Sequence, residues 1–197
     1  MKADVVLAGV GGQGVLTVAR LLAEAAAADG FHVVQGELHG MSQRGGAVQA
    51  HLRISDQPIE SPQVPRGRAH LLVGLEPVET LRNIAWLAPG GRIVTAIRPV
   101  ENVPDYPPIE QVLAALRRFP EAILIDAHEL AVAAGSARAE NLVIAGAAFS
   151  LLPLTRGKLR GIVRRRGERW TEAEREAAIQ ALAAGRAAIG GAAAVHD

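Results

Sequence analysis

Cysteine is missing altogether from the 197 residues. That absence removes disulfides, thiolate nucleophiles, zinc–thiolate sites and the usual ligands of iron–sulfur clusters together. If the chain serves a redox reaction, any cluster must be held by another polypeptide. Aromatic side chains are nearly as scarce, with three Phe, two Trp and one Tyr. The 49% hydrophobic share is therefore mostly Ala, Val and Leu, so an aliphatic core with closely packed helices is expected. Charge of neither sign dominates: 21 Lys and Arg stand against 20 Asp and Glu, for a formal +1. No net field draws the chain to nucleic acid or to an anionic bilayer, and partners must be recognised locally. Long apolar runs are also lacking, since none approaches the ~18 residues that span a bilayer. The start, Met1-Lys2-Ala3-Asp4, does not read as a signal peptide. Neither a membrane partner nor a nucleic acid is expected, and the expected location is cytoplasmic.

What is present is a rhythm of strands and helices. Asp4 to Gly9 is a short Val-rich run ending at glycines, the pattern of a strand buried on both faces. From Val15 to Ala28 the apolar residues recur at three- and four-residue steps, which predicts a helix that Asp29-Gly30 stops. Phe31 to Gln35 reads as a strand. Ala47 to Ile54 alternates Val48, Ala50, Leu52 and Ile54 with Gln49, His51 and Arg53, which predicts a strand with one wet face. The Pro- and Gly-bearing stretch from Ser55 to Arg68 is a long connection. Strands follow at 71–75, 92–95 and 122–126, with Pro89-Gly90-Gly91 read as a turn, and helices after Pro77, at 109–119 and at 141–152. Strands alternating with helices imply a mainly parallel, doubly wound sheet. Thr171-Glu172-Ala173-Glu174 is a capping box opening a helix to Ile189, and the last residues from Gly190 read as a loose end.

Gly9-Val10-Gly11-Gly12-Gln13-Gly14 satisfies G-x-G-x-x-G between a predicted strand and a predicted helix. Glycine allows the tight turn and close backbone approach, and the free N–H groups of the helix start favour a phosphate or pyrophosphate. The alternative is that these glycines only let the helix lie close to the strand. A nicotinamide site would want an acid some 20 residues on, and Glu37 is the candidate. After it comes Leu38-His39-Gly40-Met41-Ser42-Gln43-Arg44-Gly45-Gly46, which sets the cation of Arg44 near glycines, as an anion or a partner would require.

These two stretches, 9–26 and 36–55, resemble the γ-type domain of 2-oxoacid:ferredoxin oxidoreductases, and within it the small subunit of the indolepyruvate branch. The resemblance runs through Ser55-Asp56-Gln57-Pro58-Ile59, the strand at Leu71, and Asn141 with its helix, so it covers residues 1–155, with 156–197 as a helical extension. It implies a Rossmann-like α/β fold and a heteromeric complex. In that complex a large partner subunit binds thiamine pyrophosphate and the iron–sulfur clusters, coenzyme A takes the acyl group, and electrons pass to ferredoxin. It implies no catalytic residue and no metal in this chain. The candidate cofactor contacts are Gly9, Gly11, Gly12, Gln13, Gly14, Ser42, Gln43, Arg44, Gly45 and Gly46. His39-Gly40-Met41-Ser42-Gln43 tilts the resemblance toward arylpyruvates, whereas pyruvate and 2-oxoglutarate relatives differ there. A γ subunit for those substrates remains an alternative, as does a stand-alone nicotinamide- or coenzyme A-binding protein.

Three other features have ordinary explanations. His39 serves as a general acid or hydrogen-bonds a loop carbonyl, the second being favoured. Asp126 and His128 follow a strand, where Asp caps the next helix more often than it binds a metal. Lys158, Arg160, Arg164, Arg165 and Arg166 form the one basic run, read as a solvated face or subunit contact rather than a nucleic-acid site.

Overall fold

The computed structural model describes residues 2–39, 45–101, 105–155, 158–167 and 170–193. Its strands are β1 (Lys2–Val10), β2 (His32–His39), β3 (Ala47–Ser55), β4 (Ala69–Gly74), β5 (Leu87–Ala96) and β6 (Ala122–Ile125), in the spatial order β2-β3-β1-β4-β5-β6. β1, β4, β5 and β6 pair in parallel, while β3 is antiparallel to both neighbours, β1 and β2. Five strands therefore run one way and β3 alone is reversed. The sheet is mainly parallel, as the alternating pattern predicts, and mixed at one end.

The helices are α1 (Val15–Ala28), α2 (Pro77–Arg82), α3 (Ile109–Arg117), α4 (Ala127–Ala133), α5 (Glu140–Ser150), α6 (Lys158–Arg166) and α7 (Glu172–Ala193). Because successive strand side chains point to opposite faces, β1 feeds two cores. Val5 and Leu7 join the large core under α1, α5, α6 and α7, whereas Val6 joins Leu72, Ile93 and Val64 on the other face. A third cluster seals α2 and α3 through Val78, Leu113 and Leu116. The chain leaves β1 through α1 toward β2 and leaves β4 through α2 toward β5, on opposite faces. This change of direction opens a crevice at the carboxyl ends of β1 and β4, where ligands of doubly wound sheets bind. Among the described residues no helix is long and apolar enough to cross a membrane.

Three local expectations need correction. Pro89-Gly90-Gly91 lies within β5, where the register jumps between Ala69↔Leu87 and Leu71↔Arg92; the glycines form a bulge, with Gly90 at φ 73°. The tail does not loosen at Gly190, since α7 continues to Ala193. The polar face of β3 is not wet: His51 is 1% exposed, and the connection after β3 folds back over it. Arg53 Nε donates to buried Asp4 Oδ1 (2.7 Å) and its Nη1 to Ser61 O (3.1 Å), while Gln49 Nε2 donates to Asn83 Oδ1 (2.7 Å). Alternation in sequence reports period alone; it cannot report that a remote loop will cover the polar side.

His51 illustrates the cost of that cover. Its Nδ1 accepts the Val64 N–H (2.9 Å), and its ring meets the Trp86 indole at 74° with centroids 4.7 Å apart. An accepting Nδ1 requires the neutral ring, and burial lowers the pKa of His51. A lowered pKa means that the unfolded chain binds the proton better. The contribution is thus complete above the ordinary value near 6.5 and is lost as pH falls below it. Urea unfolding at pH 7.5 and pH 5 should show a drop in stability that His51→Gln reduces; equal drops would remove His51 from the account.

Candidate functional site

The glycine turn sits where β1 ends. Gly9 is still strand, and a Cβ there would press on Val15, Gln13 and Leu75, so its lack of a side chain serves the approach of α1 to the sheet. Gly12 (φ 103°) and Gly14 (φ 85°) take left-handed backbone conformations that other residues adopt at a cost. Gly14 is the N-cap of α1. It supplies no side-chain cap, and the first turn has no acidic residue, so the positive end of the helix faces the crevice.

Gln13 is a staple. Its Oε1 accepts the Val10 N–H (2.8 Å), and its Nε2 donates to Leu75 O (2.9 Å), tying the turn to the end of β4. The next residue, Glu76, is 1% exposed and N-caps α2 by accepting from Glu79 N (2.7 Å). The Tyr106 hydroxyl donates to the other Glu76 oxygen, and burial followed by that carboxylate pushes the phenol pKa up. Beneath them the buried Thr80 and Thr95 hydroxyls meet at 2.8 Å. The turn is thus braced from β1 to β4 to the segment before α3. Sequence reasoning missed Glu76 and Tyr106. Glu76-Pro77 at a strand end was a readable cap signal, but no local pattern announced its partner 30 residues away.

The β2–β3 link returns to the same place, because reversing β3 sets its first residue, Ala47, opposite Val10. Gly11 N donates to Gly46 O (2.8 Å), and Gly45 has φ 74°. The two sequence-predicted stretches therefore touch at their glycines. Ser42, Gln43 and Arg44 lie outside the described residues. Glu37 is elsewhere: β3 intervenes between β1 and β2, which at ~4.8 Å per strand puts Glu37 roughly 10 Å from β1, and its carboxylate faces Arg20 of α1 at 3.8 Å. That placement argues against a ribose-holding acid.

A cleft of about 400 Å³ opens on the carboxyl edge, lined by Gly12, Gln13, Leu75, Ala96, Arg138, Glu140 and Asn141. The Asn141 amide packs over Gly14, so that a Cβ at Gly14 would overlap Nδ2. At the rim His128 Nδ1 and Glu140 Oε1 are 2.5 Å apart. Asp126 caps α4 by accepting from Glu129 N (2.9 Å) and pairs with Arg98 at 3.4 Å, so Asp126 and His128 serve different neighbours. Among the described residues no group of three or more His, Cys, Asp or Glu could hold a metal. The arrangement offers a backbone cradle for an anion, with the Arg138 guanidinium, among the described residues, lining the same cleft.

The sequence model of pyruvate ferredoxin/flavodoxin oxidoreductase matches residues 4–188. The chain belongs to this family. Among curated members of the pyruvate ferredoxin/flavodoxin oxidoreductase family, it is 40% identical over 152 residues to a Pyrococcus horikoshii protein named indolepyruvate oxidoreductase subunit IorB, covering 73% of this chain and 75% of that one. The Archaeoglobus fulgidus protein of the same name is 37% identical over 156 residues, 76% of this chain and 77% of its own length. The fold is that of the γ subunit of a keto/oxoacid ferredoxin oxidoreductase from Geobacter sulfurreducens, with TM-score 0.69, 22% identity, and 96% and 99% of the two chains covered. It also matches part of a 2-oxoglutarate:ferredoxin oxidoreductase from Magnetococcus marinus, whose structure contains coenzyme A and succinyl-CoA, with TM-score 0.78, 19% identity, and 96% of this chain against 31% of that one.

Proposed function

We propose that this chain is the subunit without clusters of a heteromeric indolepyruvate (arylpyruvate) ferredoxin oxidoreductase. A larger partner binds thiamine pyrophosphate and the iron–sulfur clusters; the complex decarboxylates the 2-oxo acid, forms an acyl-CoA and passes electrons to ferredoxin. The observation that carries this reading is the likeness, at 31–40% identity, to proteins named indolepyruvate oxidoreductase subunit IorB. The lack of any cysteine supports assigning the clusters to the partner.

Within the complex, Gly12 and Gly14 present backbone N–H groups and the α1 dipole to a phosphate of coenzyme A, Gly11 ties the turn to Gly46 through its own N–H, and Gly9 and Gln13 hold the turn in shape. Gly45 and Gly46 border the same turn, and we infer from the sequence that Ser42, Gln43 and Arg44 contribute to binding the same anion, Arg44 through its charge. Thiamine supplies the carbon chemistry when bound in the partner. This chain's residues bind and orient the anionic co-substrate beside it.

Coexpression with a thiamine-binding, cysteine-rich chain should give a stable complex that reduces ferredoxin with indolepyruvate and coenzyme A, while the isolated chain is inactive. Activity of the isolated chain, or failure to coassemble, would sink the proposal. In the reconstituted complex Arg44→Ala should raise the KM for coenzyme A roughly tenfold, the loss of one charge-assisted contact. Unchanged kinetics would remove Arg44 from the site.

A further inference from the structure

Trp170 is one of two large hydrophobic residues exposed among the described residues, at 38%. The backbone N–H of Trp170 donates to Gly167 O (3.0 Å), its backbone carbonyl accepts from Arg175 Nη2 (3.2 Å), and its ring lies on Gly167, where an added Cβ would stand 2.6 Å from Trp170 Cε3. The indole forms one wall of a groove of about 290 Å³ between α1, α5 and α7, which Thr17, Ser136, Arg138, Asn141 and Glu174 also line.

Arg138 and Asn141 belong at once to this groove and to the cleft at the glycine turn. The two compartments are neighbours separated by a cation and an amide. Thr17, in the first turn of α1, lines the groove. Glu174 contributes a carboxylate whose Oε2 takes both bonds from Thr171, at 2.7 and 2.9 Å. Those bonds favour its ionised form, and Oε1 has no hydrogen-bond partner among the described residues. The groove thus combines a flat aromatic wall, hydroxyls that donate or accept, a carboxylate that only accepts, and a guanidinium at the end nearest the anion cradle.

We propose that this groove binds the adenine ring of an adenosine phosphate, stacked on Trp170, with its exocyclic amine toward Glu174 and its phosphate toward Arg138. Purines stack well on indole faces, and an amine donor suits an acceptor-only carboxylate. A volume of about 290 Å³ suits one base with part of its sugar. The source is a free adenine nucleotide or the nucleotide end of coenzyme A, and only the second reaches across Arg138 to the glycine turn. The inference rests on the proposed phosphate role of that turn only in joining the two compartments.

Calorimetric titration of the purified full chain with AMP, adenosine, inorganic phosphate and coenzyme A tests it. AMP should bind saturably, and Trp170→Ala should weaken it at least tenfold, the usual worth of a base–aromatic stack. Trp170→Phe, which keeps a ring, should retain affinity within about threefold. Arg138→Ala should weaken AMP but leave adenosine unaffected. Coenzyme A binding tighter than AMP, with the advantage lost in Gly12→Val, identifies it as the occupant spanning both compartments. Equal affinities identify a free nucleotide in the groove. No saturable binding of AMP or coenzyme A, or equal affinity in Trp170→Ala, overturns the inference. Trp170-dependent AMP binding in a chain that fails to coassemble with a thiamine-binding partner would leave the groove standing and refute the proposed function. An active complex indifferent to Trp170→Ala, with no Trp170-dependent AMP binding, would do the reverse.

Discussion

Gly185→Val is expected to lower the melting temperature by roughly 6–12 °C. α7 lies along α5, and the two helices touch backbone to backbone through glycines. A Cβ on Gly185 would overlap the Val143 carbonyl and stand 3.1 Å from Ala147 N; one on Gly146 would overlap Leu182 O. These are main-chain atoms held in helical hydrogen bonds, so no rotamer change relieves the overlap and the helices must separate. Overpacking of a dense core costs about 1–3 kcal/mol, and the upper end is appropriate where only backbone can yield. At 2–4 °C per kcal/mol for chains of this size, the stated shift follows. Gly190→Ala is the control. Gly190 is on the same helix with open space around it, so the change should be neutral or stabilising by up to about 1 kcal/mol from helix propensity. Thermal scans of both variants make the comparison, and a Gly185→Val protein melting like the wild type would show that the two helices are not in close contact.

Gly14→Ala is expected to cost about 2–4 kcal/mol and to weaken any ligand of the glycine turn. Two separable penalties add. A side chain at φ 85° costs about 1–2 kcal/mol in the left-handed region. The new Cβ also overlaps the Asn141 amide, which must swing out of the wall it shares with both compartments. Asn141→Ala in the same chain removes the second penalty and leaves the first. The double variant should therefore recover about 1 kcal/mol relative to the sum of the singles, a coupling of the size seen for residues in contact. Additive losses in urea unfolding would mean that Asn141 does not rest on the turn. Coenzyme A affinity should fall in Gly14→Ala and recover little in the double variant, since the strained turn itself remains.

Much of the architecture was legible one residue after another. The bounds of α1, predicted from Val15 to Ala28, match those observed, because a helix 14 residues long writes its buried stripe in the sequence at its own period. The capping box at Thr171 is present as reciprocal bonds with Glu174. Pro77 opens α2 at the first position after its Glu76 cap. Each of these depends on neighbours within four residues.

The errors share a different cause. Nothing near β3 says that Ser61, Gln63 and Val64 will meet His51 and Arg53 or that Asn83 will meet Gln49, and nothing near Pro89-Gly90-Gly91 says that β4 will pair on both sides of them and turn an expected loop into a bulge. The spacing that made Glu37 a candidate cofactor acid serves a nicotinamide site only where β2 adjoins β1, and here β3 lies between them. Strand order is a long-range property, and inserting β3 carried Glu37 away while bringing Gly46 to Gly11.

The family itself and the absence of thiolate ligands for clusters could be read directly from residue types and motifs, because backbone freedom at glycine and the chemistry of cysteine belong to the residues themselves. The union of the two glycine stretches, the Glu76–Tyr106 brace, and the groove that joins Trp170 to Arg138 and Thr17 could not. Those depend on which distant segments meet, and that is settled by strand order and by how closely glycine-faced helices approach.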